Sequence, residues 1–221
     1  MSGGLFLVTG ASRGIGAAVA GALAAPGRTI GINFRASRDA AAGVARAVEA
    51  KGAKALLLQA DAASAADVAA LFDRLPPEPL SALVCNAGIP FRHQRVAEIS
   101  PEDFEAQWRA QALSAFLFVR RAAPLMAKNR SGRIVFVLTS ALEAAPPAYM
   151  SAYVSAKYAV LGLAKAVEAE YAAKGVTVRC VFPGMTKTDF IKDFPRPIVE
   201  AENPGTPEEA AAAIVRLLEA R

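Results

Sequence analysis

Short apolar runs rich in β-branched residues alternate with longer alanine-rich segments along this chain. Apolar runs without polar alternation predict strands that are buried on both faces of a sheet; they lie at about 5–9, 29–34, 54–59, 81–85, 132–138 and 176–182. The alanine-rich segments predict helices near 14–25, 37–51, 64–75, 101–127 and 151–173. Strand, helix and strand in succession is the repeating unit of a parallel sheet. We therefore expect an α/β fold, with a doubly wound parallel sheet of about six strands and helices on both faces.

Three helix starts are marked by residues that cap helices. Ser64 precedes "AADVAALF", Ser100 precedes a proline and "EDFEAQW", and Thr206 precedes a proline and "EEAAAAIVRLL". Serine and threonine side chains accept hydrogen bonds from free amides at a helix start, and proline suits the first helical position. The last of these signals predicts a further helix close to the end of the chain.

The region 183–205 carries prolines and glycines and shows little periodicity, so it is interpreted as a long loop. A chain of 221 residues, 54% of them hydrophobic, suits one large domain rather than two small ones. We expect a single domain over residues 1–221, in which about 185–205 forms a lid over a substrate site.

Charge and composition narrow the function. The net charge of +5 is spread without a run of lysine or arginine, which argues against a nucleic-acid partner. Cys85 and Cys180 lie in apolar runs and are expected to be buried free thiols. No apolar run approaches the roughly 18–20 residues that cross a bilayer, and no cleavable leader precedes "LFLVTG". These features predict a protein of the cytoplasm with no membrane contact.

His93 is the only histidine, so a zinc site built on several imidazoles is excluded and no metal is expected. A hydrolase triad would have to use this one residue. The alternative is that His93 is a loop residue that lines a substrate pocket.

The first predicted strand runs directly into glycines and then a helix, in "LFLVTGASRGIGAAVAGAL". Gly10, Gly14 and Gly16 would let the backbone approach a pyrophosphate, which the amides at the helix start would hold. The context of strand, turn and helix predicts a dinucleotide site.

The stretch "SAYVSAKYAV" places Tyr153 and Lys157 four residues apart. Residues at this spacing share one face of a helix. A tyrosine with a pKa near 10 is a poor acid or base at neutral pH. A neighbouring lysine cation favours the phenolate, so we expect a lowered pKa for Tyr153.

The glycine spacing Gly-x-x-x-Gly-x-Gly, together with Tyr153 and Lys157, resembles the short-chain dehydrogenase/reductase family, and in particular its members similar to 3-oxoacyl-acyl-carrier-protein reductase. Further landmarks follow in order: Asp61 in "ADAAS", near the adenine in the family, and the segments "CNAG" and "FPGMTKT". The resemblance implies a Rossmann-type domain and cofactor contacts from Gly10, Ser12, Arg13, Gly14, Ile15, Gly16, Asn33, Arg35, Asp61, Asn86, Ala87, Gly88, Tyr153, Lys157, Pro183, Gly184, Thr186 and Thr188.

The choice of cofactor is predicted from charge. An enzyme that prefers NAD(H) usually carries an acid about 20 residues after the glycines, but "INFRASRD" offers Asn33 and Arg35 and no acid before Asp39. Arg35, with Arg13, would pair with a 2′-phosphate, which predicts NADP(H). The alternative is that both arginines are solvated surface cations and NADH serves equally well.

The resemblance also implies a mechanism. A hydride passes from NADPH to a carbonyl carbon, Tyr153 gives its proton to the oxygen, and Ser140 donates a hydrogen bond to the same oxygen. Lys157 also holds the ribose hydroxyls. Thr139 is the alternative to Ser140, because the preceding strand has one residue more than the family pattern.

One catalytic position departs from the family. Gln111 in "QALSAF" replaces an asparagine whose main-chain carbonyl fixes a water against the lysine. The chain also stops at "RLLEAR", without the family's seventh strand, so the edge near strand six would be open or covered by the lid or a partner. The alternative function is a non-catalytic NADP-sensing or partner-binding protein.

Substrate and partners are predicted more coarsely. A small hydrophobic ketone or alcohol is favoured by pocket and lid candidates that are almost all apolar, namely Ile89, Phe91, Leu142, Pro147, Tyr149, Phe190, Ile191, Phe194 and Ile198. An acyl-carrier-linked substrate would use a basic surface of Arg120, Arg121 and Arg130, unless these are ordinary solvated helix ends. A homodimer through the helices 101–127 and 151–173 is expected.

Overall fold

Six parallel strands form one sheet in the computed structural model, which describes residues 3–143, 145–192, 194 and 196–220. The strands are β1 Gly4–Val8, β2 Arg28–Phe34, β3 Lys54–Gln59, β4 Leu80–Cys85, β5 Gly132–Val137 and β6 Val176–Val181. Their order across the sheet is β3-β2-β1-β4-β5-β6, and every pair is parallel. The predicted α/β fold is confirmed, and each strand boundary lies within one residue of its prediction.

Helices cover both faces of this sheet. They are α1 Gly14–Leu23, α2 Arg38–Glu49, α3 Ala65–Asp73, α4 Pro101–Trp108, α5 Ser114–Lys128, α6 Ser151–Tyr171, α7 Arg196–Glu202 and α8 Pro207–Glu219. Phe6 and Val8 of β1 pack with α1, α2 and α8, whereas Leu5 and Leu7 pack on the face that α3, α5 and α6 cover. Successive side chains of a strand point to opposite faces, so an uninterrupted apolar strand contributes to both cores.

The three predicted helix starts are confirmed. The side chain of Ser64 accepts a hydrogen bond from the amide of Asp67, and Ser100 accepts one from Asp103. Thr206 and Glu209 form a capping box, in which each side chain bonds the backbone amide of the other residue. These bonds satisfy amides that have no partner within their helices.

The helix predicted over 101–127 is interrupted. Residues Arg109–Leu113 form a π-helical turn between α4 and α5. The hydroxyl of Ser114 donates to the carbonyl oxygens of Ala110 at 2.7 Å and Gln111 at 3.1 Å, beside this turn. A one-turn widening leaves the apolar pattern of a helix almost unchanged, so the sequence pattern gave no sign of it.

The region 183–205, which we interpreted as a long loop, also contains short helical segments. It contains a 3-10 turn, Asp189–Ile191, and the short helix α7. Its ends are joined, because Thr186 bridges Gly205 and the amide of Lys187 donates to the Gly205 carbonyl at 2.9 Å. A helix of seven residues is too short to show a hydrophobic period. Asp193 and Pro195 lie outside the described residues.

The chain order of the strands determines where a ligand can enter. β1 and β4 are neighbours in the sheet. After β1 the chain continues to β2 on one side of this pair, and after β4 it continues to β5 on the other side. In open parallel sheets, ligands bind beyond the carboxyl ends of the strands at such a reversal. The loops after β1 and β4, "TGASRG" and "NAG", meet at this point.

Candidate active site

A cavity of about 1120 Å³ opens at the carboxyl ends of the strands. Pockets for one small ligand usually measure about 300–1,000 Å³, so this volume suits a cofactor together with a substrate. The cavity is lined by every predicted cofactor-binding and catalytic residue except Gly16, that is by Gly10, Ser12, Arg13, Gly14, Ile15, Asn33, Arg35, Asp61, Asn86, Ala87, Gly88, Gln111, Ser140, Tyr153, Lys157, Pro183, Gly184, Thr186 and Thr188.

The glycine loop has the backbone that a pyrophosphate needs. Gly10 and Gly14 have φ values of 62° and 55°, in the left-handed region that favours glycine. Arg13, at the N-cap of α1, makes no side-chain cap, so the first amides of the helix face the cavity edge without a side-chain acceptor. These features fit a bound dinucleotide, whose phosphates the helix start would hold.

Gly16 has a packing role, and its predicted cofactor contact stays a prediction. A Cβ at this position would collide with the carbonyl oxygen of Gly10 and come within 2.6 Å of the Asn86 amide nitrogen. Gly16 therefore allows α1 to approach the loop closely, which places the helix start at the cavity.

Asn33 and Asn86 are also held by the protein itself. The Asn33 amide donates to the carbonyl oxygens of Leu58 and Ala60, and its oxygen accepts from the Gly10 amide at 3.3 Å. The Asn86 amide donates to the carbonyl oxygens of Thr9 at 3.0 Å and Gly10 at 3.2 Å. Both side chains fix the glycine loop, and the direct cofactor contacts of Asn33 and Asn86 stay predictions.

The cavity end beside β2 is cationic. One Arg13 nitrogen donates to the Ser37 hydroxyl at 2.7 Å, and another lies 3.2 Å from the Asp189 carboxylate. Arg35 lines the same end and is exposed. This group of two guanidinium groups and one hydroxyl matches the donors that a phosphate needs.

The opposite end of the cavity holds Tyr153 and Lys157, which lie one turn apart on α6 and are both buried. The Lys157 ammonium donates to the Val137 carbonyl at 2.8 Å and lies 5.7 Å from the centre of the Tyr153 ring. Burial lowers the pKa of Lys157 to about 8 and raises the pKa of Tyr153 to about 12. The predicted lowering of the Tyr153 pKa is therefore wrong for this structure, because the effect of burial outweighs the opposing hydrogen bond with Thr139.

Thr139 and Ser140 both line the cavity beside Tyr153, and the choice between them stays a prediction. A side-chain hydrogen bond from Thr139 opposes the effect of burial on the Tyr153 pKa. The Ser140 hydroxyl instead lies near Gly184, at 3.9 Å from the point that a Cβ there would occupy, and Ser140 is exposed.

Gln111 lies in the π-helical turn and is buried, with a relative exposure of 2%. Neither its amide nitrogen nor its oxygen has a hydrogen-bond partner among the described residues. The side chain packs on Gly88, where a Cβ would come within 2.8 Å of the Gln111 nitrogen. Unpaired buried amides are costly, so this side chain requires a water or a ligand in the cavity that it lines.

Aromatic rings cover Tyr153. The Phe91 ring stacks on it at 4.5 Å between centroids with an interplanar angle of 16°, and Phe190 lies 5.7 Å away. His93 packs against Phe91 and Phe194, and burial lowers its pKa, so its imidazole is neutral at pH 7. His93 lines the cavity as a packing residue.

Comparison with known proteins identifies the family. The family model described as short chain dehydrogenase matches residues 5–197. This chain belongs to the short-chain dehydrogenase/reductase family. The family consists of oxidoreductases that bind a nicotinamide cofactor, and the glycine loop of this member fits that group.

The relatives of this short-chain dehydrogenase/reductase include named reductases. A 3-oxoacyl-[acyl-carrier-protein] reductase of Synechocystis sp. is 36% identical over 214 residues, which cover 94% of this chain and 86% of the relative. A short chain dehydrogenase from Burkholderia cenocepacia in complex with NADP has a TM-score of 0.85 and 30% identity, over 98% of this chain and 90% of that one. A 3-oxoacyl-[acyl-carrier protein] reductase from Brucella melitensis with bound NAD has a TM-score of 0.86 and 26% identity, over 98% and 84%.

Some predicted residues of this family member lie elsewhere. Leu142 packs against the hydrophobic cores instead of lining the cavity. Arg121 is paired with Asp73 at 2.8 Å. Arg130 follows α5 at the start of β5, with its carbonyl against Gly175, so it lies at the edge of the sheet opposite to the cavity. A basic surface at the cavity mouth of the same chain cannot include it.

The remaining expectations concern thiols, metals and membranes. Cys85 and Cys180 are free, and each is in register with Phe136 of the strand between them. Burial raises the pKa of both thiols, that of Cys180 to about 11.

Within the described ranges, no group of three potential metal ligands lies together. In the same part of the chain, every helix is too short or too polar to cross a membrane.

Sequence reasoning missed three polar residues of this site. Thr9 accepts from the amides of Asn86 and Ala87, both at 2.9 Å, and so holds the loop after β4. Ser37 and Asp189 are the partners of Arg13. Ser37 could have been found from its place two residues after Arg35, but no local signal connects Asp189 with a residue 176 positions away.

Proposed function

We propose that this protein is an NADP(H)-dependent carbonyl reductase that also performs the reverse oxidation of a secondary alcohol. The observation that carries the proposal is the single cavity that joins two groups. Tyr153, Lys157 and Thr139 converge at one end, and Arg13, Arg35 and Ser37 line the other. Family membership supports the reaction type.

A nicotinamide cofactor held in this cavity would supply the hydride for the carbonyl carbon, with the electron pair of the C=O π bond moving to oxygen. Tyr153 gives its proton to that oxygen, so ketone, NADPH and one proton become alcohol and NADP⁺. Because burial raises the Tyr153 pKa to about 12, the phenol holds its proton at neutral pH until the oxygen takes it.

Thr139 and Lys157 assist this proton transfer. When a ketone is bound, the Thr139 hydroxyl would turn its single proton from the Tyr153 oxygen to the substrate oxygen and donate a hydrogen bond there. The Lys157 cation, held by the Val137 carbonyl, would favour negative charge on the tyrosine oxygen after transfer and would bind the ribose hydroxyls. The unpaired Gln111 amide would hold the water that returns a proton toward Lys157, in place of the family's asparagine.

The first test of the proposal compares the binding of NADPH with the binding of NADH. We expect calorimetric titration to give tighter binding of NADPH than of NADH, because hydrogen bonds between charged groups contribute about 1.5–3 kcal/mol each. Arg35→Ala should weaken NADPH binding by about 10- to 100-fold and leave NADH binding almost unchanged. Arg46→Ala on α2 is the control, since this exposed residue lies outside the cavity lining and its loss changes the net charge equally. Equal affinities of the wild type for NADPH and NADH would contradict the preference.

A carrier-linked 3-oxoacyl group is the second candidate substrate, because relatives named as reductases of this substrate match most of the chain. Arg121 and Arg130 do not support a carrier site within one chain. Arg121 is paired with Asp73, and Arg130 lies at the edge of the sheet opposite to the cavity. Arg120 remains exposed on α5 and is available to a carrier.

We propose that the protein is a homodimer through α4, α5 and α6. Phe104, Trp108 and Tyr158 on these helices are 46%, 44% and 47% exposed, which is unusual for such large rings. Light scattering is expected to give about twice the chain mass of 23.0 kDa at micromolar concentration. Trp108→Glu should yield a folded monomer, whereas Val96→Glu, at an equally apolar and 76% exposed position outside these helices, should not. A monomeric wild type would refute the dimer.

A further inference from the structure

We propose that the substrate carries a flat aromatic ring, which binds against Phe91 and Tyr149 while its carbonyl reaches Tyr153. The inference rests on the proposed reductase function and narrows its substrate class. The cavity could also take a ketone with a flexible alkyl chain. We propose the aromatic ketone as the preferred substrate of the two.

The first observation is the stack on Tyr153. Phe91 lies almost parallel to the phenol ring at 4.5 Å, and the two residues are only 9% and 7% exposed. Phe91 covers one face of the ring that carries the proton-donating hydroxyl. In this structure the protein's own aromatic side chains therefore fill space next to the proton donor, and a substrate that enters must take over part of their contacts.

The second observation is the arrangement of the surrounding rings. Phe190 and Phe194 meet Phe91 at angles of 64° and 66°, with centroids 6.0 Å and 5.0 Å apart, and His93 meets Phe194 at 83°. Edges directed at faces are the geometry that aromatic rings prefer, because their positive edges meet negative faces. A site built in this way is complementary to another ring, and an alkyl chain lacks the charge distribution to replace one.

The third observation is independent of the covering rings. Tyr149 has a φ of 68°, in the left-handed region, where a bulky side chain is strained. Its ring lines the cavity and is 51% exposed, so the described residues cover only half of it. The Gln94 amide holds this backbone by donating to the Tyr149 carbonyl at 3.2 Å. A strained, half-exposed tyrosine at a cavity is a surface on which a flat ligand can stack.

The experiment compares two ketones that differ only in the ring. 4-Phenyl-2-butanone and 4-cyclohexyl-2-butanone have the same skeleton, and neither ring is conjugated with the carbonyl, so their intrinsic reactivity is alike. With saturating NADPH, kcat/KM is expected to be about 2- to 10-fold higher for the phenyl compound, since ring pairing adds to burial of area. An acetoacetyl thioester is measured alongside them to represent a 3-oxoacyl substrate.

Variants test whether Phe91 causes the preference. Phe91→Leu keeps an apolar side chain but removes the ring, and it should bring the ratio of the two ketones close to 1 while the cyclohexyl compound is still reduced. Phe116→Leu on α5 makes the same change at a 44% exposed position outside the cavity lining and should keep the ratio of the wild type.

A binding measurement gives a readout without turnover. The Tyr153→Phe variant with NADPH is titrated with each ketone by calorimetry, and the affinity ratio should equal the kcat/KM ratio. Tyr149→Ala in this background should weaken binding of the phenyl ketone more than binding of the cyclohexyl ketone.

The outcomes separate the two proposals. If the wild type binds NADPH and reduces both ketones equally well, or prefers the acetoacetyl thioester to both, the aromatic substrate is refuted and the reductase function stands. If it neither binds NADPH nor reduces any of the three compounds, the reductase function itself fails. A phenyl preference that survives Phe91→Leu would also contradict the proposed site.

Discussion

Tyr153→Phe is expected to lower kcat for ketone reduction by about 10²- to 10⁴-fold, the range that a positioned acid contributes. The change removes the only hydroxyl that the structure places on α6 beside both Lys157 and Thr139 among the described residues. The ring itself remains, so the stack with Phe91 and the shape of the cavity are preserved. Steady-state kinetics with NADPH and a hydrophobic ketone measure the loss.

The control for this variant is Tyr158→Phe. Tyr158 lies on the same helix but is 47% exposed and outside the cavity lining, so loss of its hydroxyl should leave turnover unchanged. Calorimetry should show that Tyr153→Phe still binds NADPH with an affinity close to that of the wild type. Residual activity of more than about a tenth of the wild-type rate would mean that another group supplies the proton. A wild type that binds NADPH but reduces no ketone would instead favour a non-catalytic NADP-sensing protein.

Thr139→Val is expected to lower kcat/KM by about 10²- to 10³-fold, because loss of one donor to a developing oxyanion usually has an effect of this size. The hydrogen bond of Thr139 opposes the rise in the Tyr153 pKa, so we expect this side chain to lie close to the substrate oxygen. Ser140→Ala should have little effect, because the Ser140 hydroxyl lies beside Gly184. Parallel kinetics on the two variants decide between adjacent residues.

A structural effect of Thr139→Val must be separated from a catalytic one. The Thr139 hydroxyl also accepts from the Ala141 amide at 3.3 Å, at the start of a 3-10 turn. Thr139→Ser retains both hydrogen bonds and should restore activity to near the wild-type rate, whereas thermal unfolding should show all variants folded. If Ser140→Ala were the inactive variant and Thr139→Val the active one, the assignment would be reversed.

The architecture was predictable because periodicity and capping are local. Each strand is a continuous apolar run that must be covered on both faces, and its length appears directly in the sequence. Ser64, Ser100 and Thr206 mark helix starts through bonds to amides three residues away. The order of the strands across the sheet was not predicted and came from the structure.

The candidate site was predictable in its parts for a similar reason. The glycine loop follows a strand by a fixed number of residues, and Tyr153 and Lys157 are one helical turn apart, so spacing alone places each group. The sequence could not show that Gly16 serves packing or that the Asn33 side chain is used within the protein. Those roles depend on the carbonyl oxygens of Gly10, Leu58 and Ala60, which other segments bring near.

By itself, then, the sequence determined the parallel sheet, its covering helices, the dinucleotide loop and the paired tyrosine and lysine, because each depends on neighbours within a few residues. Tertiary structure decided the rest. It raised the Tyr153 pKa by burial, against the opposing hydrogen bond of Thr139, and it brought Phe91 and Phe190 against the Tyr153 ring. Hydrogen-bond partners and desolvation depend on atoms from distant segments, and no local pattern specifies which distant atoms will meet.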